Sequence, residues 1–99
     1  VTFDRIPCRE DGSLLIEKAE ELLKPNTRLL VCLHASNVCG TMMPVQELGK
    51  FCKKHGLLFI LDTAQTAGTV PIDMESLQLD ALAFTGHKGL RGPGVPAVF

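Results

Sequence analysis

Four short segments of the chain consist almost entirely of apolar residues. They cover residues 28–33, 57–61, 80–84 and 95–99. The first two have no polar alternation, which is typical of strands covered on both faces, as in parallel sheets. We predict strands at all four segments and a further short strand over residues 1–7. The turn before the last segment is too short for a helical crossover, which indicates that the last strand is antiparallel.

Two stretches between these segments have the periodicity of amphipathic helices. In residues 14–24 the apolar positions recur at helical spacing, with charged residues on the opposite face. The preceding residues 11–13 form a predicted turn that offers an N-cap. Pro25 disfavours helical backbone at the residue before it, so the first helix is predicted to end at Lys24.

The second predicted helix begins at Pro44, since proline suits the first helical turn. Gly56 is a good residue for the position just beyond the helix end. The apolar positions between them lie on one predicted face: Val45, Leu48, Phe51, Cys52 and His55. A shorter helix is predicted near residues 74–79.

The alternation of strands and helices predicts an α/β fold with three layers and a mostly parallel sheet, joined by right-handed crossovers. With 99 residues the chain is at most one small domain. Its hydrophobic content of 45% is high for this length, and it runs from Val1 to Phe99, inside an apolar segment. We therefore expect residues 1–99 to be a single partial domain from the centre of a longer protein.

Charge and hydropathy exclude several classes of function. The formal net charge is −1, and the lysines and arginines form no basic stripe, so nucleic acid is not an expected partner. The longest fully apolar runs have five residues, at 29–33 and 57–61. A membrane-spanning helix needs about 20. We therefore expect neither a nucleic acid partner nor a membrane.

The four cysteines have no spacing that indicates a disulfide framework or a metal site. Cys8, Cys32, Cys39 and Cys52 include no C-x-x-C pair. Reduced thiols in a cytoplasmic protein are the expected state. Cys32, His34 and Cys39 match no common zinc pattern, so we predict no metal.

Polar side chains follow three of the predicted strands at their carboxyl ends. Ligands of open α/β sheets bind at that edge. If the strands are neighbours, one crevice receives the following residues: His34, Ser36, Asn37, Asp62, Gln65, Thr85, His87 and Lys88.

This set of residues suits pyridoxal phosphate (PLP). The pyridinium nitrogen of PLP needs a carboxylate, for which Asp62 is placed, and its aldehyde needs an amine, for which Lys88 is placed. Burial and the nearby pyridinium would keep the lysine neutral. Asn37 and Gln65 can donate hydrogen bonds to the phenolic oxygen and the imine. Each residue also has an ordinary alternative role in a loop, such as capping a turn by Asp62.

The phosphate group of PLP needs hydroxyls, backbone N–H groups and an imidazole or cation. Thr85, Gly86 and His87 meet that need. The glycines that follow match neither G-x-x-x-x-G-K-[ST] nor G-x-G-x-x-G, so a nucleotide-binding loop is not expected.

Three motifs together resemble the class V aminotransferase family of PLP enzymes. They are His34-Ala35-Ser36-Asn37-Val38, Asp62-Thr63-Ala64-Gln65 and Thr85-Gly86-His87-Lys88. Within the family they are most similar to cysteine desulfurases and selenocysteine lyases. The intervals also agree with the family, with 25 residues from Asn37 to Asp62 and 26 from Asp62 to Lys88.

The resemblance implies part of the large domain of a PLP-dependent transferase of fold type I. It implies that Lys88 is the catalytic Schiff-base lysine and Asp62 the pyridinium partner, with Gln65 and Asn37 beside the cofactor oxygen. It also implies that Thr85 and His87 bind the phosphate. The upstream phosphate-binding loop and the C-terminal small domain of the family are not in this chain.

The activity implied is that of a cysteine desulfurase, which converts L-cysteine to L-alanine and leaves the sulfur on a cysteine outside residues 1–99. Family habit further implies a cytoplasmic homodimer and a possible sulfur-acceptor protein. Within the family, an aminotransferase, lyase or epimerase that acts on another amino acid is an alternative. A non-catalytic α/β binding module or an inert structural fragment is another, and we expect the isolated segment to be inactive.

Overall fold

The computed structural model describes residues 2–85, residue 88 and the backbone of residues 96–98. Within these residues the elements in chain order are α1 (Glu17–Leu22), β1 (Leu29–Leu33), α2 (Val45–His55), β2 (Leu58–Asp62), β3 (Ala81–Thr85) and β4 (Pro96–Val98). The strands predicted at the four apolar segments and the long helix are therefore confirmed, with bounds that differ by one or two residues.

The four strands form one sheet in the order β1-β2-β3-β4. The first three are parallel, and β4 runs antiparallel to β3, as predicted from the short connection before it. The register pairs Leu33 with Asp62 and Asp62 with Ala83. The carboxyl ends of β1, β2 and β3 therefore meet at one edge of the sheet.

The longer helix, α2, supplies most of the buried core against one face of this sheet. Its Leu48 and Cys52 are buried beside Phe59 and Leu61 of β2, all four with almost no solvent exposure. The helix ends where predicted, because Gly56 takes the left-handed conformation, with φ of 67°, and its N–H bonds to the last carbonyls. This backbone conformation carries no steric penalty for glycine.

A second glycine brings α2 into close contact with the segment that precedes β3. A Cβ atom at Gly49 would overlap the carbonyl oxygen of Leu77 and lie 3.1 Å from its carbonyl carbon. Leu77 is itself buried in the core cluster. The absence of a side chain at Gly49 therefore sets how closely the helix and this segment pack.

The other face of the sheet is open within the described residues. Leu29, Val31 and Leu33 of β1 are 46%, 63% and 45% exposed, and Leu58 of β2 is 56% exposed. The expectation that these strands are covered on both faces is therefore wrong for the chain alone. The physical reason is that α2 packs on one face only, where its Val45, Leu48 and Cys52 join a core cluster with Leu14 from the segment before α1.

The first two predicted elements also differ from the structure. No strand is assigned to residues 2–7, and Cys8 makes a single antiparallel bridge with Leu14. Because Leu14 is held in that bridge, the first helix begins at Glu17 instead of residue 14. It ends at Leu22, before the predicted end, because Leu23 is extended, with ψ of 129°.

The short helix expected near residues 74–79 is a series of turns. The Asp73 carboxylate accepts hydrogen bonds from the N–H groups of Glu75 and Ser76, at 3.0 and 3.4 Å. Gln78 has a positive φ of 58°, which interrupts helical backbone. The described residues contain no helix long and apolar enough to cross a membrane.

Candidate functional site

Asp62 ends β2 and serves as a local hydrogen-bond acceptor at the carboxyl edge of the sheet. Its carbonyl oxygen accepts a hydrogen bond from the N–H of His34 at 2.8 Å. One carboxylate oxygen, Oδ1, accepts from the N–H of Ala64 at 3.0 Å, which caps the turn after the strand. Oδ2 has no hydrogen-bond partner among the residues that the structure describes. The carboxylate thus caps the turn and keeps one oxygen free.

Thr85 ends β3 on the same face of the sheet as Asp62. The register pairs Asp62 with Ala83, and side chains two residues apart on a strand share a face. The hydroxyl oxygen of Thr85 is buried and has no hydrogen-bond partner in the described part of the chain. A buried hydroxyl without a partner is costly, so this position suits a ligand that supplies one.

The face that carries Asp62 and Thr85 is the open one. Leu61, the neighbour of Asp62 in β2, is fully buried under α2, so the carboxylate points to the opposite side. The exposed Leu33 lies directly across from Asp62 in the register. The candidate site therefore lies at the carboxyl edge of the sheet, on the side that α2 leaves uncovered.

Asn37 lies in the loop after β1, which is held by hydrogen bonds that its neighbour Ser36 makes. Ser36 accepts hydrogen bonds through its hydroxyl from the N–H groups of Val38 and Cys39, at 3.1 and 3.3 Å. Its own N–H bonds to the carbonyl of Thr41 at 3.1 Å. The side chain of Asn37 is exposed and makes no hydrogen bond within the described residues. Its amide is therefore free to bind a ligand.

Gln65 lies in the turn that follows β2. The N–H groups of Thr66 and Ala67 bond to the carbonyl of Thr63 at 3.0 and 2.8 Å, which closes this turn. The Gln65 side chain is exposed and its amide makes no hydrogen bond within the described residues. Like Asn37, it has an unused amide at the same edge of the sheet.

A buried hydrogen bond links the loops that carry these two amides. Nδ1 of His34 lies 2.8 Å from the hydroxyl oxygen of Thr66, and the two residues are only 4% and 3% exposed. Burial lowers the pKa of His34, which favours the neutral imidazole. Sequence reasoning placed His34 in the crevice but missed Thr66. A buried threonine next to Gln65 gives no signal in the sequence until its partner is known.

Lys88 follows the last residue of β3 by three positions and is exposed. Its Cα can lie no more than about 10 Å from that of Thr85, the reach of three extended residues. Lys88 and Asp62 therefore follow the same ends of two adjacent parallel strands. The expected burial of the lysine is not found in the chain alone, because the face beside it is open. His87 lies outside the described residues.

Three of the four cysteines fall into two chemical groups. Burial raises the pKa of both Cys32 and Cys52 to about 11, so these thiols stay protonated near neutral pH. Cys39 is exposed, and the Ser36 and Thr41 side chains lower its pKa to about 7. This thiol lies two residues beyond Asn37. The sequence shows a hydroxyl residue on each side of Cys39, a signal from which its acidity could have been predicted.

Comparison with known proteins gives the family. The sequence-family model described as aminotransferase class-V matches residues 1–99. A probable cysteine desulfurase of Halalkalibacterium halodurans is 37% identical over 92 residues, which are 93% of this chain and 22% of that protein. The chain thus spans about a fifth of the length of that curated relative.

Solved structures agree with this assignment. The apo structure of a cysteine desulfurase from Thermococcus onnurineus NA1 superposes with a TM-score of 0.86 at 38% identity, over 96% of this chain and 24% of that one. The structure described as SspA in complex with cysteine also gives a TM-score of 0.86, at 30% identity, over 93% of this chain and 26% of that one. Together with the family match, these likenesses show that the chain has the fold of part of a fold type I PLP enzyme and belongs to the class V aminotransferase family of PLP-dependent enzymes.

Proposed function

We propose that this chain forms the PLP-binding centre of a cysteine desulfurase-like enzyme that converts L-cysteine to L-alanine. The observation that carries the proposal is the position of Asp62 and Thr85. They lie on one face at the carboxyl edge of two adjacent parallel strands. One has a free carboxylate oxygen, and the other has a buried hydroxyl without a partner in the described residues. A pyridine nitrogen and a phosphate are groups that such residues bind.

PLP, when bound, supplies an electron sink for the substrate carbon. In this proposal Asp62 accepts the hydrogen bond of the protonated ring nitrogen through its free oxygen. Thr85 and His87 bind the phosphate, and the Thr85 hydroxyl thereby gains the partner that it lacks. Asn37 and Gln65 would donate hydrogen bonds from their amides to the phenolic oxygen and to the nitrogen bound beside it. These assignments use hydrogen-bonding groups that have no other partner in the described chain, except His87, which is not described.

Lys88 is the covalent attachment residue of the proposal and the carrier of protons. Its amine would attach the cofactor and, when free, would take up and return protons at the substrate carbon. A neutral amine is needed for this role. The exposure of Lys88 therefore supports the further proposal that the isolated segment is inactive and gains activity only when more protein covers the open face of the sheet.

The reaction that we propose for the whole protein balances as follows. The C–S bond of cysteine breaks with its electron pair left on the β-carbon, and the thiolate sulfur of an acceptor cysteine forms an S–S bond to the departing sulfur. The β-carbon gains the proton that the substrate thiol gives up and becomes the methyl of alanine. Cys32 and Cys52 are unsuitable acceptors because their pKa values are raised to about 11. We place the acceptor cysteine outside residues 1–99. That the structural neighbour SspA was solved with cysteine supports this class of substrate.

The proposal for the whole protein also includes a homodimer, a sulfur-acceptor protein as a possible partner, and a cytoplasmic location. The location rests on the four cysteines, which are free thiols in this structure. The alternative within the family is an aminotransferase, lyase or epimerase that acts on another amino acid. It shares the cofactor site and differs only in residues that contact the substrate.

The experiment that tests the cofactor site is covalent trapping. The chain is incubated with PLP, reduced with borohydride, digested, and mapped by mass spectrometry. We expect one dominant adduct at Lys88, because the neighbouring Asp62 and Thr85 hold the ring and the phosphate beside this amine. Lys88→Ala should abolish that adduct without creating another.

Lys53→Ala is the matched control, since Lys53 is an exposed lysine on α2, away from the carboxyl edge. It should leave the Lys88 adduct unchanged. Thr85→Val should reduce the adduct by removing a phosphate contact, and Thr85→Ser should restore it. Labelling spread evenly over the exposed lysines, in both the unaltered chain and Thr85→Val, would favour an inert fragment or a non-catalytic module.

A further inference from the structure

We propose that the hydrogen bond between His34 and Thr66 is a positioning contact that sets the distance between the amides of Asn37 and Gln65. This inference rests on the proposed function for its consequence, since those amides are the proposed donors to the cofactor. The contact itself is a property of the cofactor-free chain. It joins the loop after β1, residues 34–43, to the turn after β2, residues 63–70.

The contact is short and shielded from water. The Nδ1 to Oγ1 distance is 2.8 Å, and both residues are more than nine-tenths buried. Within the described chain it is the one hydrogen bond that connects these two segments directly. A hydrogen bond is stronger in such surroundings than in water, and leaving either group without a partner there is costly.

The backbone around His34 is fixed by hydrogen bonds, so its side chain can hold the turn after β2 at a set distance from the loop after β1. Its N–H bonds to the carbonyl of Asp62 at 2.8 Å, and its carbonyl accepts from the N–H of Met43 at 2.9 Å. Thr66 is fixed in the same way, because its N–H bonds to Thr63 and its carbonyl accepts from Val70 at 2.8 Å. Two anchored backbones joined by one side-chain bond leave little freedom in the separation of the loops.

The direction of the bond follows from the partners available. The Thr66 hydroxyl has no other hydrogen-bond acceptor among the described residues, so its proton is best satisfied by donation to Nδ1 of His34. His34 then carries its own proton on Nε2. This tautomer is a specific property that a mere packing role for the ring would not require.

The two amides depend on this contact through their backbone, because it joins the segments that carry them. Gln65 is the direct neighbour of Thr66, and Asn37 lies three residues beyond His34. Both side chains are exposed and without a hydrogen-bond partner in the described residues. If the loops separate, the donors separate with them, and a rigid ring can no longer meet both.

The test uses Thr66→Val, which keeps the shape of the side chain and removes the hydroxyl, and Thr66→Ser, which keeps the hydroxyl. Thr63→Val is the matched control. Thr63 is fully buried in the same turn and donates its hydroxyl to the carbonyl of Ala83 at 2.9 Å, with no link to the first loop. Circular dichroism identifies any variant that fails to fold.

Two readouts separate positioning from simple stability. The first is NMR of the cofactor-free chain, which records the resonances of the His34 ring nitrogens and of the Asn37 and Gln65 side-chain amides. We expect the Nε2–H tautomer of His34, displaced Asn37 and Gln65 resonances in Thr66→Val, and recovery in Thr66→Ser. The second is PLP affinity, which should weaken by about 3- to 10-fold in Thr66→Val, because one displaced amide then loses its net hydrogen bond to the cofactor.

The results that would overturn the inference are specific. Unchanged Asn37 resonances in a folded Thr66→Val chain would refute it, as would an equal displacement in Thr63→Val. The proposed function fails separately: if PLP does not label Lys88 in the unaltered chain while Thr66→Val still displaces Asn37, the positioning contact stands and the cofactor assignment does not.

Discussion

Replacing Gly49 by alanine tests whether the close approach of α2 to the segment before β3 is a real constraint on the fold. In an exposed helix interior this change stabilises, because alanine has a helix propensity about 1 kcal/mol better than glycine. At position 49 the new methyl group would overlap the carbonyl oxygen of Leu77 and lie 3.1 Å from its carbonyl carbon. The nearest atoms belong to backbone, which moves less readily than a side-chain end.

The magnitude follows from these two opposing terms. Overpacking a close-packed site costs about 1–3 kcal/mol, against the propensity gain of about 1. Because Leu77 is buried and its backbone has little room to shift, we take the upper part of that cost, about 2–3 kcal/mol. Gly49→Ala should then lower the free energy of unfolding by about 1–2 kcal/mol. For a chain of this length that corresponds to a decrease in Tm of roughly 4–16 °C.

The assay is thermal and urea unfolding, followed by far-UV circular dichroism. Position 50 supplies the matched control, since Lys50 lies on the exposed side of the same helix. There, Lys50→Ala should be more stable than Lys50→Gly, whereas at position 49 glycine should be more stable than alanine. If alanine is the more stable residue at both positions, the contact with Leu77 does not limit packing and the reasoning is wrong.

Three further predictions concern Cys39, Gly12 and His34. Cys39, with a pKa of about 7, should react with iodoacetamide near neutral pH well before the buried Cys52. Ser36→Ala should raise the pH midpoint of the Cys39 reaction, and an unshifted midpoint would contradict the assignment of the low pKa to the Ser36 hydrogen bond. Gly12→Ala should destabilise the chain by about 1–2 kcal/mol in urea unfolding, because φ at Gly12 is +87° and the new Cβ would lie 2.6 Å from the Cys39 sulfur. An unchanged unfolding midpoint would show that neither the backbone conformation nor this contact limits position 12. Burial lowers the pKa of His34, so on acidification the unfolded chain binds a proton before the folded chain does. The free energy of unfolding should therefore fall as the pH drops below about 6.5. His34→Gln should weaken this dependence in unfolding measured from about pH 7 to 5.

The elements predicted well from the sequence are those whose signals are local. α2 has its start at Pro44, its apolar face and its stop at Gly56 within one continuous stretch, and the structure assigns Val45–His55. β1 and β2 are recognised by continuous apolar runs. Each signal reports the conformation of neighbouring residues, which is decided over a few positions along the chain.

Errors occurred where a distant contact overrides the local pattern. Residues 2–7 have the composition of a strand but pair with no other strand in the described chain. Leu14 has helical spacing yet forms a bridge with Cys8, which delays the helix until Glu17. Hydrophobic periodicity reports which residues prefer burial and says nothing about which partner buries them.

The candidate site divides in the same way. The sequence by itself determined which residues are at the carboxyl ends of strands, including Asn37, Asp62 and Lys88, because strand ends are local features. Tertiary structure alone decided that Asp62 and Thr85 share a face, that this face is open, and that Thr66 holds His34. Those facts depend on the register of strands more than 20 residues apart and on which face the helices cover. Such choices are made by packing between elements, which no local pattern of residues encodes.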